Sequence, residues 1–120
     1  MVLCTMDEII GRFKTPGGLS VRVSVQALKH ALEGHPEVTA EKIEQALQKP
    51  LEVRASRHSS KACLFYSFEY FDEFGVRVFF CVVVEVLAPG EGNMVTAYET
   101  EKLKKGETLY KSPIKKRGKL

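Results

Sequence analysis

The sequence predicts an α+β domain in which two short helices pack on one face of a curved, mainly antiparallel sheet with a C-terminal four-strand meander. Two segments with helical spacing of apolar residues precede residue 50, and an alternation of period two runs from residue 51 to about residue 100. A length of 120 residues suits one hydrophobic core but is short for two. We therefore expect a single domain over residues 1–112, followed by a basic C-terminal tail at residues 113–120.

Each helix is predicted from an apolar stripe that follows a capping residue. A turn signal at 15–18 precedes a short strand that ends near Ser24, and Ser24 is a candidate N-cap for a helix over 25–33. Thr39 is the candidate N-cap for a helix over 40–49. Small hydroxyl side chains favour this position because they accept a hydrogen bond from the first free backbone N–H groups.

The meander is predicted from the alternating segment that follows the helices. Its connections at 72–75 and 89–92 are short and rich in turn-forming residues, which is typical of antiparallel hairpins. The predicted strands span residues 51–57, 62–71, 76–87 and 93–100.

Alternation sorts these strands into a helix-covered face and an open face, because successive side chains point to opposite sides of a sheet. We expect the helix-covered face to carry Leu51, Val53, Ala55, Leu64, Tyr66, Phe68, Val78, Phe80, Val82, Val84, Val95 and Ala97. The open face is expected to carry Arg54, Ser56, His58, Phe65, Ser67, Glu69, Arg77, Phe79, Cys81, Thr96, Tyr98 and Thr100. The second set is too polar for a core and too aromatic for plain solvent surface.

The cysteines and the N-terminal segment indicate a cytoplasmic protein. Three cysteines without a paired spacing leave one thiol over in any disulfide scheme, as in a reducing compartment. The first residues lack the basic and apolar stretches of a signal peptide. The most apolar run, 76–87, carries Arg77 and Glu85 and is too short to span a bilayer as a helix, so no membrane partner is expected.

The net charge of +3 is unevenly distributed. Residues 102–120 hold eight of the eighteen basic side chains and one acid, Glu107, which leaves 10 basic and 14 acidic residues in 1–101. The basic tail is either a solubilising end or a segment that holds phosphate groups through electrostatics.

No metal or cofactor is expected. His30 and His35 are five residues apart and so do not share one face of a continuous helix, and no paired CxxC or HExxH spacing is present. The glycine-rich turns lack the lysine and the strand-to-helix setting of a phosphate-binding loop.

The remaining polar residues suit metal-independent cleavage of RNA, which requires a base, an acid and a cation near the phosphate. Arg54, His58 and Tyr98 share the predicted open face, and Phe65 and Phe79 would offer stacking surfaces for unpaired bases.

The order of elements, with several short motifs, resembles the phage-associated branch of the barnase, EndoU, colicin and RelE grouping of ribonuclease folds. The motifs are Leu28-Lys29-His30-Ala31-Leu32-Glu33-Gly34-His35-Pro36-Glu37, residues 43–50, Val95-Thr96-Ala97-Tyr98-Glu99-Thr100, and Gly106 before Leu109-Tyr110. They span about residues 20–112. The net acidic charge of residues 1–101 departs from what a surface that approaches RNA usually shows.

The resemblance implies RNA cleavage, often by a toxin that a partner antitoxin protein holds inactive. It places a histidine of the helical segment, His30 or His35, near the scissile phosphate, together with polar groups of the last meander strand. Arg54 would be the basic residue from the first meander strand.

We therefore hypothesise a ribonuclease in which His35 is the general base or acid, Tyr98 its proton partner and Arg54 the stabiliser of charge. The expected substrate contacts are His30, His58, Phe65, Phe79, Thr96, Thr100, Lys102, Lys104 and Lys105. The alternative is a non-catalytic module of the same fold that binds a protein or a small ligand on the open face. Nothing in the sequence specifies an oligomeric state.

Overall fold

Seven strands and two helices form the part of the chain that the computed structural model describes, residues 8–57 and 59–112. In chain order they are β1 (Ile9–Lys14), β2 (Ser20–Ser24), α1 (Val25–Gly34), α2 (Ala40–Gln48), β3 (Glu52–Ala55), β4 (Ala62–Phe71), β5 (Arg77–Ala88), β6 (Glu91–Thr100) and β7 (Thr108–Lys111). The predicted tail at residues 113–120 lies outside the described residues.

The strands form one mixed, mostly antiparallel sheet in the order β1-β2-β6-β5-β4-β3-β7. Strand β2 runs parallel to β6, and the other neighbouring pairs are antiparallel. Strands β3 to β6 are consecutive neighbours, which confirms the predicted meander and the α+β class. Neither described helix is long and apolar enough to cross a membrane.

Both helices begin at the predicted capping residues. The Ser24 hydroxyl accepts a hydrogen bond from the Ala27 amide at 3.0 Å, and the Thr39 hydroxyl accepts one from the Lys42 amide at 3.1 Å. The two helices pack on the same face of the sheet and form a helix-side core with it. Its buried residues are Val21, Val23, Ala31, Val38, Ile43, Ala46, Leu47, Val53, Phe65, Phe80, Val82, Val84, Met94 and Ala97.

The sheet has two strands that the sequence did not predict, and both lie at its edges. Strand β1 pairs with β2 alone, and β7 pairs with β3 alone. An edge strand contacts few neighbours, so its sequence needs no apolar alternation; Ile9, Ile10 and Leu109 remain 40–50% exposed.

The predicted faces of β4 are wrong. Phe65 pairs with Val82 and lies in the helix-side core, whereas Leu64 and Tyr66 point to the open face. Large apolar or aromatic side chains occupy both faces of β4, so alternation alone does not tell which face the helices cover. Phe68, also predicted for the core, is on the open face and is 43% exposed.

A second prediction, the position of Val95, is wrong because β6 contains a β-bulge. Met94 pairs with Val84 and Thr96 pairs with Val83, so Val95 is the extra residue between the two pairs. Val95, predicted for the core, is 45% exposed, and Met94 is buried in the helix-side core instead. Beyond the bulge, Thr96 and Tyr98 lie on the open face as predicted.

The open face is partly covered by residues 101–107, which we call the crossing segment. Leu103 packs against a second buried cluster that contains Leu64, Tyr66, Phe79 and Cys81. The Lys104 amide donates to the Tyr66 hydroxyl at 2.9 Å. Gly106 lies so close to the Ala55 carbonyl group that a Cβ atom would overlap it. Leu51, predicted for the helix side, also packs against this cluster.

Candidate functional site

A cleft of about 760 Å³ opens on the uncovered part of the open face, beside the crossing segment. Its walls come from the β3–β4 connection, from β4, β5 and β6, and from the crossing segment. The lining residues are Ser56, Arg57, Ser59, Ala62, Leu64, Val83, Thr96, Tyr98, Lys104 and Lys105. Three of these side chains are cationic, and none of the lining residues is acidic.

The floor of the cleft follows from the register of the sheet. Leu64 pairs with Val83, and Val83 pairs with Thr96, so the three residues form a row across β4, β5 and β6. Leu64 and Val83 give this row an apolar surface, and Thr96 ends it with a hydroxyl group. The cleft therefore joins an apolar floor to a cationic rim.

Tyr98 links the cleft to His35. The two ring centroids are 5.6 Å apart with a tilt of 43°, and Lys104 Nζ lies 5.8 Å from the centroid of the Tyr98 ring. His35 can approach β6 here because β2 pairs with β6 only at 91–93. The α1–α2 connection, which carries His35, occupies the edge beyond that short pairing. The structure thus brings together His35 and Tyr98, two of the three predicted catalytic residues.

The Glu37 carboxylate lies beside the His35 ring. Its Oε2 atom lies 3.6 Å from His35 Nδ1 and accepts a hydrogen bond from the Glu99 amide at 3.2 Å. The His35 side chain remains 45% exposed, so the imidazole is accessible to solvent. Sequence reasoning missed Glu37, although a carboxylate two residues from the histidine was visible in the His-Pro-Glu segment.

The Tyr98 hydroxyl is poorly suited to proton transfer. Burial and the neighbouring Cys81 thiol raise the pKa of Tyr98 well above its ordinary value. Burial likewise raises the pKa of Cys81 to about 11 and the pKa of Tyr66 to about 12. All three groups are therefore neutral near pH 7, and Tyr98 offers the cleft an aromatic ring rather than an acid.

Arg54 is committed to contacts within the protein. Its Nε atom donates to Glu52 Oε2 at 2.6 Å, and its Nη1 atom donates to the Lys104 carbonyl at 2.8 Å. Thr108 donates a further hydrogen bond to Glu52. Burial raises the pKa of Glu52, but the hydrogen bonds from Arg54 and Thr108 outweigh it and hold this pKa below the ordinary value. Arg54 and Glu52 thus tie the crossing segment to β3.

The predicted substrate contacts are divided between several places. Thr96 and Lys105 line the cleft, together with Lys104. His30 lines a separate depression of about 560 Å³ between α1 and β6. His58 lies outside the described residues. The structure adds Arg57 to the cleft, and an arginine in an ordinary turn gave no signal in the sequence.

The two phenylalanines predicted as stacking surfaces are both buried. Phe65 is 3% exposed in the helix-side core, so its predicted contact with substrate is wrong. Phe79 points to the open face as predicted but is 5% exposed. Thr100 pairs with Phe79, and its hydroxyl bonds to the backbone of Lys102 beyond the cleft.

A second polar cluster lies on the helix side. Lys42 Nζ is 3.1 Å from Glu69 Oε2 and 3.3 Å from Glu99 Oε2, and the Tyr70 hydroxyl donates to Glu99. Burial and a hydrogen bond to Glu99 raise the pKa of Glu69 to about 7, whereas the same bond lowers the pKa of Glu99. One cation cannot neutralise two partly buried carboxylates, so the pair retains a proton at mildly acidic pH.

Glu69 lies on the helix side because alternation places it opposite Phe68, and it is also the extra residue of a bulge in β4. Phe68 pairs with Phe79 and Tyr70 pairs with Val78, which leaves Glu69 between them. Its predicted position on the open face is therefore wrong. Within residues 8–57 and 59–112, no three histidine, cysteine or acidic side chains are grouped to hold a metal ion.

We expect Arg54→Ala to destabilise the fold by roughly 2–4 kcal/mol, because it leaves the Glu52 carboxylate buried with one hydroxyl partner. Urea unfolding at pH 7 measures the loss. Arg12→Ala, on the exposed edge strand β1, is the matched control and should change the free energy of unfolding by less than about 0.5 kcal/mol. Equal effects of the two substitutions would show that the pair does not hold the crossing segment.

We expect the free energy of unfolding to fall as pH rises from about 5 to about 7, because folded Glu69 keeps a proton that the unfolded chain has released. Glu69→Gln replaces the protonated acid with a neutral amide, so it should remove this slope and stabilise the fold at pH 8 by of order 1 kcal/mol. Urea unfolding at several pH values tests this. Glu44→Gln, on the exposed side of α2, should leave the slope unchanged, and a slope that persists in Glu69→Gln would contradict the assignment.

No protein-family model matches the chain, and no curated protein and no solved structure matched it either.

Proposed function

We propose that the protein binds single-stranded RNA in the cleft and cleaves it without a metal ion. The observation that supports this most is the cationic rim of Arg57, Lys104 and Lys105, with no acid among the residues that line the cleft. The fold brings Arg57, from the net acidic residues 1–101, beside Lys104 and Lys105, from the basic residues 102–120. A rim of three cations suits a polyanion such as RNA.

The rest of the lining suits a nucleotide. Tyr98 offers an aromatic ring, and the Leu64 and Val83 floor offers an apolar surface for a base. Unpaired bases stack on aromatic rings, while lysine and arginine side chains hold the phosphates between them. Duplex RNA keeps its bases stacked inside the helix, so the cleft favours a single strand.

His35 supports cleavage in addition to binding. As general base, it would take the proton from a ribose 2′-hydroxyl, whose oxygen then attacks the adjacent phosphorus. The bond from phosphorus to the 5′-oxygen breaks, the imidazolium returns the proton to that oxygen, and a 2′,3′-cyclic phosphate remains. Glu37 would stabilise the imidazolium, and Lys104 would stabilise the charge that develops on the phosphate.

Two residue roles differ from the hypothesis based on the sequence. Lys104 replaces Arg54 as the stabiliser of charge, because the Arg54 guanidinium donates to Glu52 and to the Lys104 carbonyl. Tyr98 acts as a stacking surface, because its raised pKa makes it a weak acid. An antitoxin, if the resemblance to toxins holds, would cover the cleft. The free thiols of Cys63 and Cys81 support a cytoplasmic location.

We expect Lys104→Ala and Arg57→Ala each to weaken RNA binding about tenfold at low salt, because each removes a phosphate contact. Each should also lower the slope of log Kd against log salt by about 0.7, the value for one single-strand phosphate. Anisotropy of a labelled 2′-O-methyl octauridine in EDTA measures both. Lys14→Ala, on the exposed edge strand β1, should change neither, and equal losses in all three variants would place binding outside the cleft.

We expect His35→Ala to lower the rate of RNA cleavage in EDTA at least about a hundredfold, the usual contribution of a general base. Glu37→Gln should lower the cleavage rate less, about tenfold, because Glu37 stabilises the imidazolium of His35 but is not itself the general base. RNA with a single 2′-deoxy sugar at the cleavage site should stay intact there.

His30→Ala tests the other histidine of the helical segment and should cut at the parental rate, since His30 lies in a separate depression. Loss of cleavage in His30→Ala but not in His35→Ala would show that the general base is His30, in α1. If the parent protein binds RNA and leaves it intact in every buffer, the non-catalytic module is the correct interpretation.

A further inference from the structure

An exposed group of aromatic side chains lies on the open face beyond the crossing segment. Phe68 is 43% exposed and Phe71 is 62% exposed. The Phe68 ring packs edge-on against Phe71 at 5.1 Å between centroids and against Phe79 at 6.2 Å. We call the exposed rings of Phe68 and Phe71, together with the buried Phe79 ring that contacts Phe68, the aromatic platform. Solvent-exposed aromatic rings in contact with one another are a common feature of binding surfaces.

The platform lies on the same face of the sheet as the cleft. Leu64, Tyr66 and Phe68 alternate along β4, and the pairs Tyr66–Cys81 and Phe68–Phe79 carry this face onto β5. Phe71 pairs with Arg77. Arg77 precedes Phe79 by two residues on β5, so Phe71 lies on the same face as Phe79. One row of side chains therefore runs from the floor of the cleft, under the crossing segment, to the platform.

Cations flank the platform as they do the cleft. The Arg77 guanidinium carbon lies 5.7 Å from the centroid of the Phe79 ring. Thr100 pairs with Phe79, and its hydroxyl bonds to the backbone of Lys102, which places Lys102 on the other side. The Lys104 amide bonds to the hydroxyl of Tyr66, which lies between Leu64 of the cleft and Phe68 of the platform along β4. Asp72, in the turn that follows β4, accepts hydrogen bonds from the amides of Phe74 and Val76.

We propose that the aromatic platform is a second base-binding subsite for the same RNA strand that occupies the cleft. This inference rests on the proposed function and extends it to the length of the ligand. Leu64 and Phe68 are four positions apart along β4, a distance of about 13 Å at the usual strand rise. A stacked strand rises about 3.4 Å per nucleotide, so the two subsites together take a single-stranded tract of about four nucleotides or more.

The test compares a short and a long ligand. Both probes are 2′-O-methyl oligouridines with a 5′-phosphate, which resist cleavage; one has two nucleotides and the other has eight. We expect the parent protein to bind the octamer much more tightly than the dimer. Phe71→Ala should weaken binding of the octamer about fivefold or more through loss of stacking, and should leave binding of the dimer unchanged.

Two further variants distinguish stacking from general loss of apolar surface. Phe71→Tyr keeps an aromatic ring and should retain the parental affinity for the octamer. Leu109→Ala, which removes an exposed apolar side chain from the edge strand β7, should bind both probes as the parent does. Titration of unlabelled probes by calorimetry measures the affinities, after thermal unfolding has confirmed that each variant is folded.

The outcomes separate this inference from the proposed function. If neither probe binds, the proposed function fails and the platform has no role in RNA binding. If both probes bind and Phe71→Ala binds the octamer as the parent does, the second subsite alone is overturned. If the parent protein sediments as two associated chains, and Phe71→Ala separates them without changing the affinity for the octanucleotide, the platform is instead a contact between two copies of the chain.

Discussion

Strand β5 is buried on both of its faces, and this constraint determines most of the structure. Between Val78 and Val84 each face of β5 presents large apolar side chains, so the sheet must be covered on both sides. The helices cover one side. The crossing segment covers part of the other through Leu103, and the cleft lies where that cover ends.

The charges of the cleft depend on the same arrangement. Arg54 and Glu52 neutralise each other beside β7, and Arg54 also fixes the backbone of the crossing segment. Lys104 and Lys105 are therefore held at the rim with no acid among the lining residues. Lys42 forms ion pairs with Glu69 and Glu99 on the helix side of the sheet. Most of the ion pairing of the described residues thus lies away from the cleft, which leaves its cationic rim available for an anion.

Irregular pairing decides which side chains meet at the site. The bulge at Val95 places Met94 in the core, while Thr96 and Tyr98 keep the open-face positions that alternation predicts. The bulge at Glu69 puts Tyr70 on the helix side together with Glu69 and leaves Phe71 on the side of the platform. The pairing of β2 with β6 stops at residue 93, so His35 can reach Tyr98 at the free edge. Each of these features is a local departure from regular pairing.

The sequence by itself determined the class of the fold, the helix caps at Ser24 and Thr39, the order of the meander strands and the positions of Thr96 and Tyr98 on the open face. Those features follow from local preferences and from periodicity, which a single segment carries within itself. Only the tertiary structure decided the face on which Phe65 lies, the edge strands, the pairing of Arg54 with Glu52 and the approach of Glu37 and Tyr98 to His35. These depend on strand register and on contacts between segments far apart in the chain, and an apolar strand such as β4 fits either face until its neighbours fix the choice.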